Sequence, residues 1–154
     1  MKELEQLEET GKYVFHGSPH SDITHFELRQ GNHNGMPDGN PAVSATPYVE
    51  FAVFRAIINT TNISIPFSSR FGFQDGKREF IVSSQEVLDQ IQNKKGFVYV
   101  FDKKDFVPYS RDGIAYSNNM EWRSYKTISP ISVIEVTVDD LSTISPGVKI
   151  LDSE

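Results

Sequence analysis

The sequence predicts one α+β domain, spanning residues 1–154, in which antiparallel strands are accompanied by a few short helices. Two observations favour this class over a repeating β–α–β series. Helical patterns are concentrated in the first part of the chain, whereas strongly β-favouring segments follow one another after residue 79. The length suits a single domain, and 38% hydrophobic residues, including eleven Phe, provide enough apolar surface for one core.

The N-terminal region contains a predicted helix, a predicted strand and a predicted loop. Residues 2–9 are expected to form a short helix with Leu4 and Leu7 facing inward. Residues 12–15 alternate in the manner of a first strand, which is expected to end abruptly before the glycine that follows. Residues 29–40 are rich in Gly and Asn, a composition typical of a loop.

A short strand followed by a second helix is expected next. Residues 41–45 are small and β-compatible, and Thr46 is suited to cap a helix with Pro47 in its first turn. Apolar residues then recur at a spacing of three to four, which indicates a helix with one buried face: Phe51, Phe54, Ala56 and Ile58.

The second half of the chain is expected to consist mainly of strands. Residues 59–77 have no clear periodicity and are predicted to be irregular. A short helix is expected after Ser83, which opens a capping-box sequence. Five segments have the composition of strands, at residues 79–83, 96–101, 122–128, 131–138 and 147–151.

Composition excludes several classes of function. Net charge is −6 with a pI near 5.2, and no basic block is present, so general nucleic-acid binding is not expected. The chain has no cysteine and four histidines without the close pairing that zinc sites favour, so no metal site is expected. The acidic start and the lack of an apolar run of about 20 residues favour a cytoplasmic protein without membrane association.

Three segments place polar side chains at the ends of predicted elements and are expected to meet. The first is His16-Gly17-Ser18 and the second is the segment 44–48, where small and hydroxyl residues enter the second helix. The third is the segment 118–125, in which Glu121 opens a predicted strand. Because small residues allow a ligand to approach the backbone, we expect a pocket with one imidazole, one aromatic surface and one carboxylate.

The three segments resemble the ADP-ribosyltransferase fold, in particular its His-Tyr-Glu branch, which includes the poly(ADP-ribose) polymerases and the diphtheria-type toxins. The resemblance extends over about residues 12–138 and rests on three short stretches, at residues 13–18, 41–46 and 120–125. It implies a split antiparallel sheet with NAD bound as a substrate in the cleft between its two halves.

The resemblance also implies a role for individual residues. His16 would hydrogen-bond the adenosine ribose, the Gly17 backbone would hold the nicotinamide carboxamide, and Tyr48 would stack on the nicotinamide ring. Glu121 would hydrogen-bond the nicotinamide ribose, where a carboxylate stabilises the positive charge that develops as the glycosidic bond breaks. Further residues complete the expected NAD-binding set: Ser18, Ser44, Thr46 and Phe51.

Several assignments remain open. Phe51 lies where the family's tyrosine often occurs, and Glu135 is a rival for the acidic role. Asn119 occupies a position at which several branch members have a second acid that supports transfer to a protein. The acceptor of ADP-ribose is therefore not predicted, and water is one of the candidates. Arg29 and Arg55 are candidates for bidentate bonding to a diphosphate.

Two other classes of function compete with the enzyme. The first is a non-catalytic module that binds a nucleotide or peptide in the same cleft. The second is a partner-binding domain that uses the acidic surface and the Phe-rich residues 67–73. For Glu121 itself, the alternative is a surface acid paired with Arg123 or Lys126.

Overall fold

The computed structural model describes residues 1–33, 35–111, 114–115, 119–144 and 147–151. Within them the chain has a mixed α+β fold of mostly antiparallel sheets and short helices. The helices are α1 (Lys2–Glu9), α2 (Val49–Ile57), α3 (Gln85–Gln90) and α4 (Val138–Ser142), with a 3-10 turn at Lys103–Asp105. The strands are β1 (Tyr13–Ser18), β2 (Asn32–His33), β3 (Met36–Pro37), β4 (Val43–Ala45), β5 (Ser69–Gln74), β6 (Lys77–Val82), β7 (Lys95–Asp102), β8 (Val107–Pro108), β9 (Ser110–Arg111), β10 (Ile114–Ala115), β11 (Trp122–Ser124), β12 (Ser132–Thr137) and β13 (Val148–Ile150).

The central sheet has the order β1-β7-β12 and is antiparallel throughout. Helix α2 packs across one face of this sheet, and two glycines allow its backbone to come close. A Cβ atom on Gly17 would lie 1.9 Å from the carbonyl oxygen of Ala52, and one on Gly96 would lie 2.0 Å from that of Ala56. Any side chain at these two positions would push the helix off the sheet.

Helix α2 is buried on nearly all sides, and its start differs from the prediction. The helix begins at Val49 with Tyr48 as its N-cap residue, so Pro47 precedes the first turn. The Val49 N–H donates to the Glu8 carboxylate of α1 at 2.7 Å, and Thr46 Oγ1 accepts only from the Tyr48 N–H at 3.2 Å. A distant acid therefore caps this helix in place of the predicted Thr46.

A second antiparallel sheet, with the order β4-β11-β8, meets the central sheet at one point. Phe15 of β1 and Thr46, which directly follows β4, exchange both backbone hydrogen bonds, at 2.7 and 2.9 Å. Beyond this bridge β1 and β4 share no further backbone pairing in the described residues. The divergence of the two sheets opens the space in which the site residues lie.

The third sheet, with the order β13-β6-β5, corrects the prediction that residues 59–77 are irregular. Strand β5 pairs with β6 through a turn in which Asp75 and Gly76 have φ angles of 53° and 78°. Strand β13 pairs with β6 in parallel, an exception to the predicted antiparallel pattern. Phe71 and Phe73 of β5 pack against the core, so the Phe-rich region is not a free apolar surface.

Other element boundaries also differ from the prediction. Strand β1 continues past Phe15 to Ser18, so His16 lies within the strand and not at its end. The predicted loop at 29–40 contains the short β2–β3 pair, and the strand predicted for 122–128 ends at Ser124. Helix α4 was not predicted, whereas α1 is confirmed, with its Leu4 side chain fully buried.

The second face of the central sheet packs against the segment after β1 and against the second sheet. Phe26 forms the centre of this cluster, with its ring centroid 5.1 Å from that of Tyr99 and 5.0 Å from that of Phe101. None of the helices in the described residues has the length and apolar character needed to cross a bilayer.

Candidate active site

The structure brings His16, Ser44 and Glu121 together where the two sheets diverge. His16 Nδ1 lies 2.8 Å from the carbonyl oxygen of Ser44. The Ser44 hydroxyl donates a hydrogen bond of 2.9 Å to Glu121 Oε2. The three predicted segments therefore meet, although Asn118, the first residue of the third segment, lies outside the described residues.

Two clefts adjoin at this point. The first has a volume of about 560 Å³ and is walled by β1, β4, α2 and β5, with Glu121 at its side. The second has a volume of about 530 Å³ and is lined mainly by residues from the segment 16–31, together with residues 42–44. Both volumes are in the range of small-molecule sites. Four residues line both clefts: His16, Gly17, Pro19 and Ser44.

The protonation state of His16 follows from its surroundings. Burial lowers the pKa of the imidazole below 6.5, the Ser44 hydrogen bond opposes this, and the positive charge of Arg29 lowers the pKa further. The neutral ring donates its Nδ1 proton to the Ser44 carbonyl oxygen, which can only accept, so Nε2 carries a lone pair. Nε2 makes no hydrogen bond within the described residues and is available to a ligand hydroxyl.

The backbone of Gly17 is directed toward the first cleft. Phe15 uses both its N–H and C=O for Thr46, so its pairing with Val100 of β7 is of the non-hydrogen-bonded type. Antiparallel ladders alternate, and Gly17, two residues further along β1, must also point its N–H and C=O away from β7. The Gly17 N–H and C=O therefore lie on the free edge of β1 beyond the Thr46 bridge. There they can form hydrogen bonds with an amide group that lies in the plane of the sheet.

A buried arginine, Arg123, holds the Glu121 carboxylate in place through an ion pair. Arg123 Nε donates to Glu121 Oε2 at 2.6 Å, and Arg123 Nη1 donates to the Asp38 carbonyl oxygen at 2.7 Å. The guanidinium carbon lies 3.4 Å from the ring centroid of Tyr109, whose hydroxyl donates to Asp38 Oδ1 at 2.5 Å. The exposed fractions of the Arg123 and Glu121 side chains are 4% and 20%, so this is not an ordinary surface pair.

The charges of this cluster support one another. Burial alone would lower the pKa of Arg123, but the hydrogen bond and charge of Glu121, with Tyr109 and Asp38, outweigh burial and raise it. The pKa of Tyr109 is raised first by its hydrogen bond to Asp38 and then by burial. Glu121 Oε2 thus accepts from Arg123 and Ser44, while Oε1 makes no hydrogen bond within the described residues.

Phe71, and not Tyr48, is the partly exposed aromatic side chain of the first cleft. Phe51 lines the same cleft but is fully buried beneath it, with its ring centroid 4.9 Å from that of Phe71. Tyr48 lies in a separate groove, where its ring contacts Phe73 and the Arg78 guanidinium. The structure does not bring the expected stacking residue Tyr48 together with His16 and Glu121.

The two predicted hydroxyl residues that remain have mainly structural contacts. Ser18 lies in the second cleft and is buried, and its Oγ accepts a hydrogen bond from the His20 N–H at 3.1 Å. Thr46 lines the first cleft and is buried by the bridge to Phe15. Both residues shape the walls, and neither hydroxyl is oriented by a carboxylate in the described residues.

The remaining candidates are distributed over different surfaces. Arg29 lines the second cleft and Arg55 the first, so the two do not share one diphosphate position. Glu135 is 52% exposed and pairs with Lys95 at 3.2 Å, away from both clefts. Asn119 lines the groove of Tyr48. Within the described residues, no group of three or more acidic or histidine side chains is placed to hold a metal ion.

The sequence interpretation missed three contributors to this site. Phe71 and Arg70 lie in the segment 59–77, whose composition predicts irregular structure and, for Arg70, a solvated loop, although Asp75-Gly76 is a hairpin signal for β5. Asp38 lies in the segment 29–40, which its composition predicts to be a loop. No local pattern indicates its contact with Arg123, which is 85 residues away in the chain.

In comparisons with known proteins, no family model, no curated protein and no solved structure matches this chain.

Proposed function

We propose that this protein binds NAD across the two clefts and breaks its bond between nicotinamide and ribose, passing ADP-ribose to an acceptor or to water. The observation that carries the proposal is the convergence of His16 and Glu121 on one cleft, joined through Ser44. The meeting of two small antiparallel sheets at the Phe15–Thr46 bridge supports an ADP-ribosyltransferase-like split sheet as the underlying fold.

The dinucleotide is expected to bend around the wall that the clefts share. Its adenosine ribose would donate a hydroxyl hydrogen bond to His16 Nε2, with the adenine in the second cleft. Its carboxamide would pair with the outward N–H and C=O of Gly17, as the ladder geometry allows. The nicotinamide ring would then lie against Phe71, which takes the role that the resemblance gave to Tyr48.

Glu121 supplies the charge that the reaction requires. When the glycosidic bond breaks, its electron pair passes to the pyridinium nitrogen, so that nicotinamide leaves neutral and positive charge develops on the ribose. Glu121 Oε1 would accept a hydrogen bond from a ribose hydroxyl, while Ser44 and Arg123 hold Oε2 in place. The acceptor oxygen then bonds to the ribose carbon and releases its proton to solvent. A fixed carboxylate needs no reorganisation during this step.

Nicotinamide release from NAD, followed by chromatography, tests the proposal. Glu121→Gln is expected to reduce the rate by about a hundredfold to a thousandfold, the usual effect of removing a charge-stabilising group. The amide keeps an oxygen that can accept from Ser44 and Arg123, so the fold should be retained. Glu135→Gln is the matched control and should leave the rate unchanged, because that side chain is exposed and distant. Equal rates for wild type and Glu121→Gln would remove Glu121 from the mechanism.

One observation favours a second candidate, a nucleotide-binding module without turnover. The guanidinium of Arg123 lies against Glu121 and offsets part of the negative charge that a developing cation would need. Such a module would bind NAD without releasing nicotinamide, and His16→Ala would weaken that binding. Calorimetric titration with NAD, together with the nicotinamide assay, separates the two candidates.

A further inference from the structure

The first cleft contains two guanidinium groups that no carboxylate of the described residues neutralises. Arg55 on α2 donates from Nη1 to the Ser69 hydroxyl at 2.9 Å, and its guanidinium carbon lies 4.9 Å from the ring centroid of Phe71. Arg70 of β5 lines the same cleft and is exposed. Within the described residues neither arginine forms an ion pair, although Glu121 lines the same cleft and is bound to Arg123.

The environment of Arg55 is unfavourable for a cation without a partner anion. Burial lowers the pKa of this guanidinium, but an arginine remains charged in proteins. Contact with the faces of Phe54 and Phe71 offsets part of the cost of burial. Every fully buried polar side-chain atom in the described residues has a hydrogen-bond partner, so the Arg55 nitrogens without one are at least partly exposed on a residue that lines the cleft.

We propose that Arg55 and Arg70 form an oxyanion subsite that binds a phosphate group carried by the acceptor of ADP-ribose. Guanidinium groups bind phosphate through paired, charge-assisted hydrogen bonds. Two arginines match the charge of a phosphomonoester, about −1.5 to −2 at neutral pH, better than the single charge of a carboxylate. The assignment to an acceptor rests on the proposed NAD-cleaving function.

The position of the subsite distinguishes an acceptor phosphate from the diphosphate of the dinucleotide. The diphosphate joins the two riboses, so it must lie near the wall between His16 and Glu121. Arg55 and Arg70 line only the first cleft and are not part of that shared wall. Arg29 lines the second cleft and acts electrostatically on His16, which makes it the better candidate for the diphosphate.

Calorimetric titration with inorganic phosphate at low ionic strength tests the subsite directly, because exposed charges are screened by salt. Arg55→Gln and Arg70→Gln are each expected to weaken phosphate binding by about tenfold, as for loss of one charge-assisted hydrogen bond. Arg55→Lys should retain part of the affinity. Lys95→Gln removes a surface cation that lies in neither cleft, so it is the control and should bind phosphate like the wild type. Arg70→Gln keeps the test decisive if Arg55 variants fail to fold, since Arg70 is exposed.

A second titration, with phosphate in the presence of saturating ADP-ribose, identifies the source of the phosphate. Undiminished phosphate binding is expected if the subsite serves the acceptor. Competition between the two would overturn the proposal and assign these arginines to the dinucleotide. Absence of phosphate binding, or equal binding by wild type and both glutamine variants, would also overturn it. The nicotinamide assay is independent of these results, so failure of NAD cleavage is recognised separately.

Discussion

The two clefts differ in how firmly their polar groups are held. In the first cleft, Glu121 and Ser44 are fixed by hydrogen bonds on strands and strand ends, against the buried helix α2. The second cleft is lined largely by exposed side chains of the segment after β1, among them His20, Asp22 and Arg29. Fixed groups suit a chemical step, whereas exposed loop groups suit recognition. Under the proposed function, this difference suits bond cleavage in the first cleft and adenosine recognition in the second.

The largest expected effect is a loss of stability on removing Arg123, which holds the Glu121 carboxylate through an ion pair. Arg123→Ala leaves the Glu121 carboxylate without its buried cation and removes the hydrogen bonds of Arg123 to Asp38, so we expect a loss of about 3–5 kcal/mol in the free energy of unfolding. Urea denaturation followed by circular dichroism measures this loss. Lys95→Ala breaks an exposed pair with Glu135 and should cost only about 0–1 kcal/mol. Similar losses for both variants would show that the first cleft is not held more firmly than the surface.

An intermediate effect is expected from the aromatic wall of the first cleft. Phe71→Ala removes the ring against which nicotinamide would lie and should weaken NAD binding on the order of tenfold, as for loss of one aromatic contact. The affinity for AMP should not change, because AMP would occupy only the second cleft. Calorimetric titrations with both ligands make the comparison. Equal weakening of NAD and AMP would contradict the division of the ligand between the clefts.

Tyr48→Phe is the control for the Phe71 variant. The Tyr48 ring lies in the separate groove near Arg78, so the loss of its hydroxyl should leave NAD affinity and nicotinamide release within about twofold of wild type. A strong effect of this variant would show that the Tyr48 hydroxyl contacts the ligand, contrary to the position of Tyr48 in the separate groove.

The smallest expected effect is a pH dependence at the wall shared by the clefts. The pKa of His16 is lowered on folding, chiefly by burial, so the unfolded chain binds this proton more tightly than the folded protein. The His16 contribution to stability is therefore present above pH 6.5 and is lost as the pH falls from there through the folded pKa. His16→Gln should reduce the fall in melting temperature between pH 7 and pH 5.5. An unchanged fall in the variant would show that His16 is not the group responsible.

The sequence was informative where local pattern decides structure. Helix α1, strand β7 and helix α2 follow from periodicity, and all three are found close to their predicted bounds. Strand β5 was missed because Gly72 interrupts its apolar run and the Asp75-Gly76 turn was not used as a signal. The N-cap of α2 could not be predicted, since the capping carboxylate comes from Glu8 on another helix.

In the site, too, residues within short motifs could be chosen from the sequence, whereas contacts between residues far apart in the chain could not. His16, Gly17 and Glu121 were chosen from short motifs, and the structure places all three on the first cleft. Tyr48 lies outside the first cleft, because at the start of α2 its ring packs against Phe73. The Arg123–Asp38 contact depends on how the sheets are assembled, and no spacing along the chain encodes it.

A crystal structure of the Glu121→Gln variant with NAD tests the central claim most directly. Our account predicts a bent dinucleotide with its adenosine ribose within hydrogen-bonding distance of His16 Nε2. Its carboxamide should pair with Gly17, and its nicotinamide ribose should lie beside residue 121. NAD bound elsewhere, or lying in the second cleft with its nicotinamide far from residue 121, would contradict the account.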